Sequence, residues 1–129
     1  MTTNADIIRA HYAASDAGDL EGMLAPLAPD VQWREADGFP AAGLYIGPEA
    51  VKQNVFLRLA GEYDDYRLTV DEVLDAGDAV VGVGTYTGTF TATGKAFRAR
   101  VAHLWRLQDG VVTHFEQITD TLPVDQARH

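Results

Sequence analysis

The chain of 129 residues contains no cysteine, which excludes a disulfide, a thiolate nucleophile and a cysteine metal site. Its only serine, Ser15, falls in a helical pattern without the strand-to-helix turn that activates a serine nucleophile. No apolar run approaches the roughly 20 residues that cross a bilayer, and the first residues, MTTNADIIRA, lack a signal-peptide pattern. We therefore predict a cytoplasmic protein that does not enter a membrane.

Positive charge is also scarce, because 10 lysines and arginines face 19 acidic residues and the formal net charge is −9. Such a surface repels phosphate backbones, which argues against nucleic-acid binding. The one basic cluster alternates along a strand pattern, as a solvated or subunit-facing surface does. No HExxH motif and no close histidine pair is present, and the glycine-rich GVGTYTG precedes no helix. We expect neither a metal nor a cofactor.

The most informative stretch covers residues 97–121, two strand patterns joined by the hairpin signal Asp109-Gly110. Read with a period of two, one face of the first strand is apolar except for His103. Because a buried polar side chain needs a partner or a function, His103 is the first candidate site residue. The matching face of the second strand places Gln117 beside it.

Three helices are predicted before these strands. The first starts at Thr3 or Asn4 and ends at Gly18, with Tyr12 on its inward stripe. The second follows Asp19, carries its apolar stripe as far as Leu27 and is stopped by the nearby prolines. The third starts at Gly47-Pro48 and closes at Gly61.

The remaining patterns are strands and one loop. Residues 31–35 form an early strand, residues 36–47 an irregular loop, and residues 66–75 and 79–91 two further strands, the last bent at its glycines. The order predicts one α+β domain over residues 1–129. In it, three N-terminal helices and a cone-shaped, strongly curved, mostly antiparallel sheet enclose a pocket.

Three segments carry a family resemblance: HYAASDAGDLEGMLAPLAPDVQW, GLYIGPEAV and HLWRLQDGVVTHFEQITDT. In this order and spacing, the chain resembles the nuclear-transport-factor-2-like (cystatin-like) superfamily, and within it the polyketide-cyclase (SnoaL-like) and ketosteroid-isomerase-like proteins. The resemblance implies a pocket on the concave sheet face and a homodimer through the convex face. It aligns Tyr12 with a tyrosine of the first helix of ketosteroid isomerase, Glu35 with the general base, and His103 with a protonated aspartate. Gln117 replaces a pocket acid and cannot exchange a proton.

The residues themselves form a plausible set for proton transfer. A carboxylate desolvated beside Trp33 should have a raised pKa, which would suit Glu35 as a general base. Tyr12 and His103 could donate hydrogen bonds to the oxygen that gains charge. Alternatives remain: Tyr12 could be structural, and Glu35 could sit at the rim beside Arg34 or Lys52. The residues expected to contact substrate are Trp33, Gln117, Phe115, Trp105 and Val101.

The sequence therefore leaves two functions open. The first is a cofactor-free isomerase, cyclase or lyase that uses carboxylate-assisted proton transfer on an apolar carbonyl or polycyclic substrate. The second is a non-catalytic small-molecule-binding protein of the same fold. His11 and His114 are expected to face solvent or a partner subunit. A homodimer is predicted from aliphatic residues on the outer sheet face: Ala102, Leu104, Val112 and Ile118.

Overall fold

The computed structural model describes residues 2–129, in which five helices pack with one six-stranded sheet. The strand order is β2-β1-β6-β5-β4-β3; β1 and β6 run parallel and every other neighbouring pair is antiparallel. This confirms the α+β prediction. The helices are α1 (Asn4–Asp16), α2 (Leu20–Leu24), α3 (Pro48–Val51), α4 (Leu57–Glu62) and α5 (Leu122–Ala127), and the strands are β1 (Leu27–Glu35), β2 (Gly43–Ile46), β3 (Tyr63–Asp75), β4 (Ala79–Phe90), β5 (Lys95–Gln108) and β6 (Val111–Thr119).

The first two helices have the predicted caps. Thr3 forms a capping box with Asp6, and the Asp19 side chain accepts from the Gly22 amide at the start of α2. However, α2 ends at Leu24, and Leu27 already belongs to β1. The reason is that Leu27 pairs with Val112, whose amide donates to the Pro26 carbonyl oxygen. Strand pairing therefore begins directly after Pro26, so the helix cannot extend to Leu27.

The third predicted helix is present, but its middle turn is wider than an α-helix. A π-helical segment, Lys52–Phe56, connects α3 to α4. Such segments are rare and often occur near functional sites. The preceding region, predicted as an irregular loop, contains the short strand β2, which pairs with the last residues of β1. The sequence did not predict this strand, because three glycines and a proline in the region weaken the apolar alternation that indicates a β-strand.

The hairpin between β5 and β6 confirms the turn signal, with positive φ at Asp109 and Gly110. Its side-chain alternation, however, is broken by a bulge, because the register shifts after Arg106. Val112 is consequently fully buried, and its placement on the outer sheet face was wrong. Further register shifts lie in the β1–β6 and β3–β4 pairings. These irregularities bend the sheet around its inner face.

The C-terminal helix α5 was not predicted. Pro123 lies in its first turn, Val124 and Ala127 are buried, and the Ala127 carbonyl oxygen accepts from the Thr93 hydroxyl. A six-residue helix offers too few apolar positions for periodicity to reveal it. Among residues 2–129 no helix is long and apolar enough to span a membrane.

Candidate functional site

A chamber of about 70 Å³ lies between the helices and the inner face of the sheet. It adjoins an apolar vestibule of about 450 Å³, and five residues line both spaces. The inner chamber contains buried polar groups that could do chemistry, on walls that are mainly aromatic. These walls include Trp33, Phe56, Tyr66, Tyr86, Trp105 and Phe115, and the polar groups include Glu35, His103 and His11. The shared residues are Ser15, Met23, Phe56, Leu59 and Tyr66.

Glu35 is the last residue of β1, and its side chain is only 3% exposed. Its Oε2 atom accepts a hydrogen bond of 3.0 Å from the indole nitrogen of Trp33, whose ring stacks on Phe115 at 3.7 Å. Burial raises the pKa of Glu35 to about 8, and the bond from Trp33 opposes the rise only in part. The carboxyl group is therefore buried in the chamber wall, and no ion pair with Arg34 or Lys52 holds it at the rim.

His103, on β5, is buried and hydrogen-bonded through both ring nitrogens. Nδ1 lies 2.9 Å from the Tyr12 hydroxyl, and Nε2 lies 2.7 Å from the Tyr86 hydroxyl. Burial, with a smaller contribution from His11, lowers the pKa of His103 to about 3. The imidazole is neutral near pH 7, so one nitrogen donates and the other accepts.

One further bond, from the Trp105 indole to the Tyr12 hydroxyl, identifies the protonated nitrogen of His103. The Tyr12 hydroxyl already accepts from the Trp105 indole at 2.9 Å, so its own proton is available for His103 Nδ1. His103 then donates from Nε2 to Tyr86. The opposite tautomer would leave the Tyr12 proton without an acceptor in an enclosed site, which buried hydroxyl groups avoid.

Gln117, on β6, fixes the orientation of Tyr86. Its Oε1 accepts from the Ala36 amide at 2.9 Å, so Nε2 is the amide nitrogen that donates to the Tyr86 hydroxyl at 3.0 Å. The Tyr86 oxygen thus receives two donors, from His103 and Gln117. Because both lone pairs are occupied, its own proton is directed along the chamber wall, where the Tyr66 hydroxyl is a hydrogen-bond partner.

The structure brings together most of the predicted site residues, but in two layers. Glu35, His103, Trp33, Trp105 and Phe115 line the chamber. Behind this layer lie the residues that do not line it: Tyr12, Gln117 and Val101, all buried.

Tyr86 is a chamber residue that sequence reasoning missed. It shares the inward face of β4 with Val80 and Gly82, so period-two reading could have found it. The glycines around it indicate a bent strand, which makes the alternation harder to recognise. Gly82 has its own structural role, because a Cβ atom there would lie 2.0 Å from the Tyr12 hydroxyl oxygen. Only glycine lets this hydroxyl reach His103.

His11 was expected to face solvent or a partner, and this was wrong. Its side chain is 4% exposed, and its ring packs against Trp105 with centroids 4.7 Å apart. The helical stripe through Ile8, His11 and Tyr12 was the signal that could have placed it. His114 is exposed, as predicted. Within residues 2–129, no three histidine or acidic side chains are grouped so that they could hold a metal ion.

Comparisons with known proteins agree with this architecture. The family model described as SnoaL-like domain matches residues 8–115. An NTF2-like protein from Burkholderia thailandensis is 50% identical, with 100% of this chain and 99% of that chain covered and a TM-score of 0.98. TerC, co-crystallised with polyporic acid, is 28% identical, with 96% of each chain covered and a TM-score of 0.85.

A protein from Catenulispora acidiphila with a ketosteroid isomerase-like fold, in complex with trimethylamine, is 18% identical. The alignment covers 95% of this chain and 91% of that chain, with a TM-score of 0.81. At that identity it bears on the fold alone. No curated protein matches the chain.

Proposed function

Because the chain belongs to the SnoaL-like domain family, whose fold is shared by ketosteroid isomerase-like proteins, we propose that it is a cofactor-free enzyme. It would move a proton on an apolar carbonyl or polycyclic substrate, as isomerases, cyclases and lyases do. The observation that carries this proposal is the Glu35 carboxyl group, buried in the same chamber as the hydroxyl group of Tyr86.

Glu35 is the proposed general base. With a pKa of about 8, roughly a tenth of the carboxyl groups are ionised at pH 7. The ionised form is a stronger base than an ordinary carboxylate, because the chamber offers it little solvation. It would remove a proton from the carbon next to the substrate carbonyl and return it to another carbon.

Tyr86 is the proposed donor to the carbonyl oxygen that gains negative charge. Burial raises its pKa, and an ionised Glu35 raises it further, which indicates that the two groups are close enough to interact. Two donated hydrogen bonds from His103 and Gln117 make the Tyr86 oxygen a better proton donor. Tyr12 and His103, predicted as direct donors, would then act through Tyr86.

The two adjoining spaces suit a substrate with two parts. A cavity of about 150 Å³ holds benzene in other proteins, so the inner chamber of about 70 Å³ suits the reacting end of a ligand. A bulkier apolar body would occupy the vestibule of about 450 Å³. TerC is described in complex with polyporic acid, a precedent in the fold for a small-molecule ligand.

The test uses 2-tetralone, a bicyclic apolar ketone with exchangeable protons beside its carbonyl. Exchange with deuterium is followed by ¹H NMR from pH 6 to 9.5. We expect protein-dependent exchange to rise with pH and level off above an apparent pKa of about 8. Glu35→Gln should abolish it, and Tyr86→Phe should slow it by about 10²-fold.

The matched control is Glu72→Gln, the same chemical change at an exposed position of β3. It should leave exchange unchanged. Exchange that Glu35→Gln does not reduce would refute the mechanism.

Non-catalytic binding is the second candidate, supported by Gln117. This residue stands where related proteins have a pocket acid, and both ends of its amide are engaged by Ala36 and Tyr86. Such a protein would bind 2-tetralone, as measured by quenching of tryptophan fluorescence, without any proton exchange.

We further propose a homodimer through the outer sheet face. Ile46 and Ile118 are exposed there, and neighbouring Arg106 and Glu116 offer opposite charges that a two-fold axis could pair. Sedimentation should give a dimer at micromolar concentration, and Ile118→Glu should give a monomer. A wild-type monomer would refute this assembly. The cytoplasmic location and the single-domain organisation remain predictions.

A further inference from the structure

His11 lies in the middle of α1, and the proton-transfer mechanism leaves it without a role. Its ring lines the inner chamber, with the Trp105 ring on one side and Phe56 at a centroid distance of 6.5 Å. A polar ring in such surroundings is costly unless each nitrogen is satisfied. The state of its two nitrogens therefore indicates what the ring can bind.

The first nitrogen is settled by its partner. Nδ1 lies 2.9 Å from the carbonyl oxygen of Met23, which can only accept a hydrogen bond, so Nδ1 carries a proton. Burial lowers the pKa of His11 to about 4, and the bond to Met23 opposes that change only in part. The ring is neutral near pH 7, so Nε2 holds a lone pair.

The second nitrogen faces the chamber. Among residues 2–129, every side-chain nitrogen or oxygen that is fully enclosed has a hydrogen-bond partner. His11 Nε2 has no hydrogen-bond partner among these residues. It therefore cannot be fully enclosed, and it must contact accessible space. For a ring that is almost wholly buried, the chamber it lines is that space.

We propose that His11 Nε2 accepts a hydrogen bond from a hydroxyl or N–H group of the ligand, and thereby selects hydroxylated carbonyl compounds over purely apolar ones. This inference rests on the proposed function, since it concerns the ligand of the same chamber. The carbonyl oxygen of such a ligand would bind at Tyr86, and its donor group at His11. Both polar groups would lie in the inner chamber of about 70 Å³, so they must be close together on the ligand, and its apolar part would extend toward the vestibule.

Equilibrium binding of three probes tests the inference: 2-hydroxy-1-phenylethanone, 2-methoxy-1-phenylethanone and acetophenone. Titration calorimetry should give about tenfold tighter binding of the hydroxylated probe. In His11→Asn, the shorter amide can still donate to the Met23 carbonyl but offers nothing at the position of Nε2. The variant should bind all three probes alike.

A measurement on the unmodified protein does not depend on how well the variant folds. The ¹⁵N chemical shift of His11 Nε2 should be that of an unprotonated nitrogen, and it should move on addition of 2-hydroxy-1-phenylethanone but not of its methoxy analogue. Three results would each overturn the inference: protonation of Nε2 in place of Nδ1, no preference for the hydroxylated probe, or the same preference in His11→Asn.

These outcomes are separable from failure of the proposed function. The binding and NMR measurements need no turnover, and the proton-exchange assay does not involve His11. Loss of the hydroxyl preference with intact exchange would reject only the role of His11. Absence of exchange with an intact preference would reject only the enzyme.

Discussion

The close approach of Tyr12 to the backbone of β4 gives the sharpest prediction. In Gly82→Ala, the new Cβ atom would lie 2.0 Å from the Tyr12 hydroxyl oxygen and 2.7 Å from the ring carbon that carries it. The hydroxyl must then move by more than about 1 Å to reach ordinary van der Waals contact. Because β4 is paired on both sides, the tyrosine has to move rather than the strand.

That displacement breaks two buried hydrogen bonds, one from the Trp105 indole and one to His103, both 2.9 Å long. Each buried group left without a partner costs about 1–3 kcal/mol. We therefore expect Gly82→Ala to lower the free energy of unfolding by about 2–5 kcal/mol. Chemical denaturation followed by tryptophan fluorescence measures this change.

Two companion variants sharpen the test. Gly61→Ala makes the same chemical change within α4, where a Cβ atom would meet nothing within 4 Å, and it should stabilise by about 0.5–1 kcal/mol. In the Tyr12→Phe background the hydroxyl is absent, so Gly82→Ala should cost less than it does in the wild type. A Gly82→Ala protein within about 0.5 kcal/mol of the wild type would show that Tyr12 does not approach β4 so closely.

Three further predictions concern pH and register. The pKa of Glu35 is higher in the folded protein (about 8) than its ordinary value of 4.5. Its contribution to the free energy of unfolding is therefore fully present below pH 4.5 and is lost as the pH rises through 8. The loss is on the order of 4 kcal/mol, and Glu35→Gln should remove this dependence in denaturation curves measured from pH 5 to 9. The lowered pKa values of His11 and His103 (about 4 and 3) act in the opposite direction. Their contribution is present above pH 6.5 and is lost as the pH falls through these values, so acid unfolding should begin below about pH 6; a stability that stays flat down to pH 4 would contradict it. Finally, Val112→Ala should lower the free energy of unfolding by about 2 kcal/mol because this side chain is fully buried. Val111→Ala, at a side chain that is 39% exposed, should change it by no more than about 0.5 kcal/mol. Equal losses in the two variants would contradict the bulge.

Local patterns were sufficient for much of the fold because they depend on short-range chemistry. Thr3 and Asp19 have side chains that satisfy free helix amides, and Asp109-Gly110 adopts positive φ readily. These preferences hold wherever the segment sits. They placed the main helices and the long strands, although not β2 or α5, whose periods are too short to read.

Burial on a face was predictable only while the period of two was unbroken. It placed His103, Trp105 and Gln117 on the inner face correctly. It failed at Val112, because a bulge in β6 adds a residue that no local signal marks. For His11, the helical stripe pointed inward, but the polarity of the side chain argued for the surface.

The sequence by itself determined that a carboxylate would sit beside an indole, since Trp33 and Glu35 share one face of the same strand. Only the tertiary structure decided which hydroxyl reaches the chamber. Tyr12 and Tyr86 come from an N-terminal helix and a central strand, and the order of donors among them depends on contacts between residues up to 93 positions apart. The same holds for His11, whose proton is located by a carbonyl oxygen on the next helix. Hydrogen-bond direction is a property of the assembled core, because it follows from which partners have already used their protons.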